Sequence, residues 1–196
     1  MIRHRALHQA AALLLSYPGP AWPRHAAEVT AALTRLNCPE GELLLDFCRA
    51  TAPVPPLELA ARYVTTFDRS RRRTLHLTHY TDGDTRRRGA SLAALKAHYR
   101  AAGWEPDAGE LPDFLPALLE FAARCPRAGT PLLHQYRGAL GLLAQALDDY
   151  RSPYVHVLRA VQRTLPAAPP PAPVPDAPAP VPFPMHHALG DEGVRR

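Results

Sequence analysis

The sequence predicts an all-α protein: one compact helical bundle-like domain over residues 1–165, with a proline-rich tail over 166–196. Three observations carry this. Apolar residues recur at helical spacing in segment after segment. Prolines stand near the openings of these segments, where a missing N–H costs nothing because first-turn amides have no helical partner. A single segment alternates, Leu75, Leu77 and Tyr80 against His76 and His79, and no second strand-like segment exists to pair with it.

The first helix turns Leu7, Ala11 and Leu14 inward and stops at the breaker cluster Tyr17-Pro18-Gly19-Pro20. Arg3 and Arg5 ahead of Ala10–Leu15 imitate a secretory leader. The run is short, however, His8 and Gln9 interrupt its start, and no A-x-A site follows. The second helix stripes Trp22, Ala26, Val29, Leu33 and Leu36 on one face. A third, over about Pro39–Arg49, faces Leu43, Leu44 and Phe47 inward. Beyond the Pro53–Pro56 loop, a helix over Leu57–Phe67 puts Leu57, Ala60 and Val64 on one ridge. Tyr63 and Phe67 stack at i, i+4 on the next. Residues 68–84 read as helix or turn, closing on the Asp82-Gly83 turn signal. Asp84 then caps a helix to Ala102, with Leu92, Leu95 and Tyr99 inward and Gly103 at C′.

The stretch Glu110–Phe121, ELPDFLPALLEF, reads as a helix opening on an N-cap Asp113 with Pro116 in the first turn. Leu111, Leu115, Leu118, Leu119 and Ala122 share its apolar face; Asp113, Pro116, Ala117 and Glu120 share the other. Two readings of that second face stand. Asp113 is a cap and Glu120 pairs with Arg124 one turn on, or the face binds a partner. Thr130-Pro131 is a cap-plus-proline opening for a helix bearing Leu133, Tyr136, Leu140, Leu143 and Leu147. Ser152-Pro153 repeats the device before Tyr154, Leu158, Val161 and Leu165. From position 166 the apolar stripes end in PAAPPPAPVPDAPAPVPFP, an extended or disordered composition.

With 196 residues and 46% hydrophobic content, the chain can build one sizeable core. Cys38, Cys48 and Cys125 have no partner at metal-ligand spacing, which argues against a disulfide framework and for a reducing compartment. No run approaches the roughly 18 apolar residues of a membrane span, so a cytoplasmic protein is expected. The sequence holds no GxGxxG, Walker loop, HExxH or GxSxG, and no nucleophile–base pair emerges, so a catalyst is not expected. His76 and His79 sit at i, i+3 without a persuasive third ligand, so no metal is expected.

What remains is a recognition constellation: Tyr63, Phe67, Asp68, Arg71 and its neighbours, His76, Arg86 to Arg88, then Glu110 to Glu120. Aromatics, arginines and carboxylates gathered in the middle of a helical chain suit a groove that holds a peptide helix. The rival class is a basic nucleic-acid binder using Arg69–Arg73 and Arg86–Arg88, consistent with the net charge of +5.

The same middle region resembles the NarJ-type nitrate reductase assembly chaperones, part of the wider molybdoenzyme chaperone family that includes TorD and DmsD. The ordered pieces are the aromatic-to-Phe-Asp element Tyr63–Asp68, Arg71, the turn Gly83-Asp-x-Arg86-x-Arg88-Gly89, Gly103 and ELPDFLPALLEF. LLSYP ending at Pro18 and Ser152-Pro-Tyr154 also fit, so the resemblance spans roughly Leu7–Leu165. It implies a compact TorD-like all-α fold without a catalytic centre or intrinsic cofactor. It implies binding of the N-terminal segment of the nitrate reductase catalytic (alpha) subunit. That subunit would be held ready to receive bis-molybdopterin guanine dinucleotide before membrane attachment. The family's acidic Glu-Pro-x-Asp element reads Glu110-Leu111-Pro112-Asp113 here; the histidine that follows it in TorD-like proteins is absent, Phe114 and Leu115 standing there. The client-binding set implied is Tyr63, Phe67, Asp68, Arg71, Arg86, Arg88, Glu110, Leu111, Pro112, Asp113, Phe114, Pro116 and Glu120.

Overall fold

A computed structural model describes residues 2–106 and 109–165; the expected proline-rich tail over 166–196 lies outside them. The described residues form ten α-helices: α1 (Ile2–Leu15), α2 (Trp22–Leu36), α3 (Pro39–Thr51), α4 (Pro56–Tyr63), α5 (Thr78–Asp82), α6 (Arg86–Ala101), α7 (Leu115–Arg124), α8 (Pro126–Gln135), α9 (Arg137–Asp149) and α10 (Tyr154–Thr164). A π turn at Val64–Asp68 and a 3-10 turn at Arg71–Arg73 join α4 to α5. No strand forms among the described residues; one isolated antiparallel bridge joins His76 to Phe114.

The centre of the packing is α7. Eight of its residues, from Leu115 to Ala123, are buried, leaving Glu120 and Arg124 at the surface. A helix apolar nearly all round must be covered on all sides. It lies against α1 and α8, while α10 packs on α1, α3 and α9. The alanines Ala10, Ala11 and Ala12 keep α1 thin enough to sit among these neighbours. Side chains from other elements satisfy its orphan ends and theirs: Tyr63 Oη donates to the Leu15 carbonyl (3.0 Å), and Arg5 Nε donates to the Ala123 carbonyl (2.8 Å). The second places a cation at the negative end of α7.

Several expected boundaries move. The central helix begins at Leu115 rather than at Glu110, so Leu111 is off the apolar stripe and exposed. Asp113 does not cap it. The helix expected from Thr130-Pro131 opens one proline earlier, at Pro126, so Pro131 falls inside α8 and Thr130 is already helical. The chain then breaks at Tyr136 (φ −91°, ψ 12°), yet Leu133, Tyr136, Leu140, Leu143 and Leu147 remain buried through the bend. At α10 Ser152 serves through its backbone carbonyl, bonded by Val155 N–H (3.1 Å), and not through its hydroxyl. Leu57 is exposed; Leu59 and Ala60 make the buried ridge of α4 instead. Asp84 makes no cap bond to α6 and pairs with Arg71 (3.3 Å).

A buried histidine sets one pH response of the fold. His8 is 2% exposed and bonds through Nε2 to Thr164 Oγ1 (2.8 Å), tying α1 to α10. Burial, with a smaller contribution from His4, lowers its pKa to about 4. The unfolded chain takes up this proton near pH 6.5 and the folded one only near pH 4, so acid favours unfolding between those values. Stability is expected to be flat above pH 6.5 and to fall by up to about 3 kcal/mol toward pH 4. Urea unfolding of His8→Gln should show a shallower slope in that window; an unchanged slope would assign it to other groups.

Candidate functional site

A cavity of about 340 Å³ opens where the π turn, the 3-10 turn, α5 and the bridge segment meet. Tyr63, Phe67 and Asp68 form one wall, Ser70, Arg71, Thr74 and Leu75 the next. His76, His79, Asp84, Arg88 and Phe114 complete it.

The π turn shapes the first wall. Arg69 N–H donates to the Val64 carbonyl (3.1 Å), five residues back. Such a turn leaves neighbouring carbonyls in need of donors. Thr65 Oγ1 bonds the Ala61 carbonyl (2.9 Å) and Thr66 Oγ1 the Arg62 carbonyl (2.7 Å). Arg73 Nε bonds the Thr66 carbonyl (3.0 Å), and its guanidinium lies over the Tyr150 ring, 3.7 Å from the centroid. The turn holds Phe67 against Tyr63 and Tyr154, at centroid distances of 4.9 and 4.8 Å, and leaves Asp68 exposed at the mouth.

Beneath the opposite wall lies Asp113, a fully buried carboxylate. The bridge brings its partners: Leu77 N–H bonds the Asp113 carbonyl (3.0 Å) and Leu115 N–H the Leu75 carbonyl (2.9 Å). His76 Nδ1 then lies 3.0 Å from Asp113 Oδ1, and Oδ2 accepts from both the Thr78 amide (3.2 Å) and the Thr78 hydroxyl. Arg88 adds an ion pair at 3.6 Å and bonds Thr78 Oγ1 through Nε (3.1 Å). Burial raises the pKa of this carboxyl, but bonds from His76 and Thr78 and the charges of His76 and Arg88 outweigh it, and the net shift is downward. The imidazole partner of Asp113 thus comes from 37 residues earlier in the chain.

Of the residues singled out in the sequence, Tyr63, Phe67, Asp68, Arg71, Arg88 and Phe114 come together on this cavity. Asp113 lies under it, buried rather than displayed, because its oxygens face His76, Thr78 and Arg88. Pro116 is buried in α7. Arg86 is exposed at the start of α6 and lies outside the cavity lining. Glu110 and Pro112 border a separate cavity of about 270 Å³ beside Tyr99 and Trp104. Leu111 is exposed, and Glu120 pairs with Arg124 at 2.7 Å, outside both cavities.

In the sequence His76 and His79 read as possible metal ligands and Arg73 as one member of an arginine cluster, while the part played by Thr78 is not legible there. The one local signal was the unpartnered Leu75–Leu77 alternation, whose partner is a single bridge residue, Phe114, bonded through its neighbours Asp113 and Leu115. Among the described residues no group of three or more His, Cys, Asp or Glu side chains is placed to hold a metal ion. No described helix is long and apolar enough to cross a membrane. A larger cavity of about 610 Å³ between α2 and α3 is lined by Trp22, alanines, Val54 and prolines, with no charged side chain.

These features define an all-helical protein with a recessed, aromatic-walled and charged groove. The fold is shared with the crystal structure of a redox enzyme maturation protein from Archaeoglobus fulgidus, at a TM-score of 0.62 and 19% identity over 82% of this chain and 93% of that one. Residues 27–160 match the family model described as nitrate reductase delta subunit, and the chain belongs to that family. It is 33% identical, over 78% of its length and 84% of the relative's, to a Bacillus subtilis chain named as a nitrate reductase molybdenum cofactor assembly chaperone, NarJ. It is 41% identical over 157 residues to the nitrate reductase-like protein NarX of Mycobacterium tuberculosis, covering 80% of this chain and 24% of NarX. The matched region therefore spans about a quarter of NarX.

Proposed function

We propose that this protein is a nitrate reductase assembly chaperone and not a catalyst. Its groove takes the N-terminal segment of the catalytic (alpha) subunit. It keeps that subunit competent for insertion of the molybdenum cofactor, as bis-molybdopterin guanine dinucleotide, before membrane attachment. This takes place in the cytoplasm, and the cofactor is the client's cargo rather than a resident group. The observation that carries the reading is a groove walled by Tyr63, Phe67 and Phe114 beside charged side chains, in a chain of this family. Apolar walls accept the buried face of a client helix, and fixed charges set its orientation. The helical domain over residues 1–165 carries the activity, and the tail over 166–196 is dispensable for it.

The nucleic-acid reading loses its footing in the arginine clusters. Arg71 pairs with Asp84, Arg73 holds the Thr66 carbonyl and Tyr150, and Arg88 holds Thr78 and Asp113. Engagement of these three interrupts both clusters, so the arginines left exposed, Arg69, Arg72, Arg86 and Arg87, are not a continuous run for a phosphate backbone.

Titration calorimetry with a synthetic peptide of the catalytic subunit's N-terminal segment tests the reading. Phe114 is half-buried and stacks on His76 (5.5 Å), so Phe114→Ala should keep the fold. It should weaken the peptide about tenfold, as loss of a central aromatic contact does. Glu120→Lys, outside the groove, should leave affinity within about twofold, as a distant surface charge does. Truncation after Leu165 should change neither affinity nor melting temperature. Equal affinities for wild type and Phe114→Ala would move the binding surface elsewhere.

A further inference from the structure

The charges on the groove are not equally available. Arg71 is paired with Asp84 across the mouth (3.3 Å). His76 and Arg88 are turned inward onto Asp113, at 3.0 and 3.6 Å. Asp68, by contrast, has no ion pair among the described residues, although it is exposed and lines the cavity. It closes the π turn directly after Phe67, whose buried ring packs on Tyr63 and Tyr154 and fixes the turn from within.

We propose that Asp68 is the groove's receptor for a cationic side chain of the bound segment, and that Arg71 and Arg88, the arginines lining the groove, are not receptors for acidic ones. The inference rests on the groove reading above and deepens it. The occupant it specifies is an amphipathic helix with a lysine or arginine about one turn from the apolar residue seated against Phe67 and Phe114. The buried Asp113 already engages Arg88 and His76, and Arg71 is paired at the surface with Asp84. An acidic residue at that place would meet the uncompensated Asp68 carboxylate and be repelled. The π turn gives this selectivity its rigidity. Thr65, Thr66 and Arg73 hold its backbone, so Asp68 is presented without rearrangement.

The test is a charge swap by titration calorimetry. The probe is the N-terminally acetylated peptide of the catalytic subunit, which removes the terminal amine as an alternative cation. In single-site variants each lysine or arginine is replaced by glutamine or glutamate. Asp68→Asn should weaken the parent peptide about fivefold, and Asp68→Lys more than about tenfold, with smaller losses at high salt. One glutamine peptide should bind wild type about fivefold weaker and lose nothing further on Asp68→Asn. Its glutamate counterpart should bind Asp68→Lys better than wild type. Melting temperatures should not move, because Asp68 has no ion pair to lose. Equal binding of the parent peptide by wild type and Asp68→Asn, with the Phe114→Ala loss intact, overturns the Asp68 assignment and leaves the groove standing. A peptide indifferent to both substitutions overturns the groove reading, and this inference with it.

Discussion

Asp113→Ala is expected to lose about 4 kcal/mol of stability, the range seen when one partner of a buried ion pair is removed. The carboxylate is fully buried and accepts from His76, the Thr78 amide and the Thr78 hydroxyl, with Arg88 alongside. Deleting it leaves these donors facing each other without an acceptor. An N-cap aspartate on an accessible helix end would cost about 1 kcal/mol on the same change, so urea unfolding separates the two roles. Asp113→Asn keeps the shape but turns an NH₂ toward donors, and should still lose about 2 kcal/mol. The pH sign differs from that of His8. A carboxylate whose folded pKa is depressed stabilises the fold above its unfolded pKa, near 4. That contribution is lost as pH falls through the lower folded value. The acid profile should therefore show two stages: His8 between pH 6.5 and 4, then Asp113 below.

Gly129→Ala should be the second large loss, about 3 kcal/mol, at the upper end of overpacking costs. A Cβ at Gly129 would stand 2.4 Å from Ala122 Cα and 2.8 Å from its backbone nitrogen. No side-chain rotation relieves a clash with backbone. Helices α7 and α8 are joined directly at Cys125, so they have little freedom to separate. Gly138→Ala in α9 is the contrast, since nothing lies within 4 Å of its added Cβ. It should gain about 0.5–1 kcal/mol by restricting the unfolded chain. Thermal melts of the two variants give opposite signs if the helix contact is as close as described.

Local periodicity foretold most of the helices because each buries a stripe that the sequence displays by itself. The run Leu133 to Leu147 stays on one face even though Tyr136 divides the helix. Pro116 does stand in the first turn of α7. What escaped was set by contacts between distant segments. Asp113 precedes a proline-opened helix, the pattern of a cap, and only the bridge to residues 75–77 turns it into a buried acceptor. The two proline openings at Pro126 and Pro131 compete, and the first prevails once Cys125 ends α7. Tyr63 and Phe67 were legible as a stacked pair, but the Tyr63 hydroxyl bond to Leu15 depends on where α1 ends. The π turn announces itself by little beyond two threonines, whose hydroxyls bond back to the preceding turn.

Site-specific photocrosslinking in cells tests the central claim most directly. A photoreactive residue at Ser70, on the charged groove, and one at Ala27, in the uncharged cavity between α2 and α3, probe two recesses of opposite chemistry. Crosslinked partners are digested and sequenced. Capture of N-terminal peptides of the nitrate reductase catalytic subunit from Ser70, and not from Ala27, is the predicted result. Capture of that segment from Ala27 and none from Ser70 would contradict it.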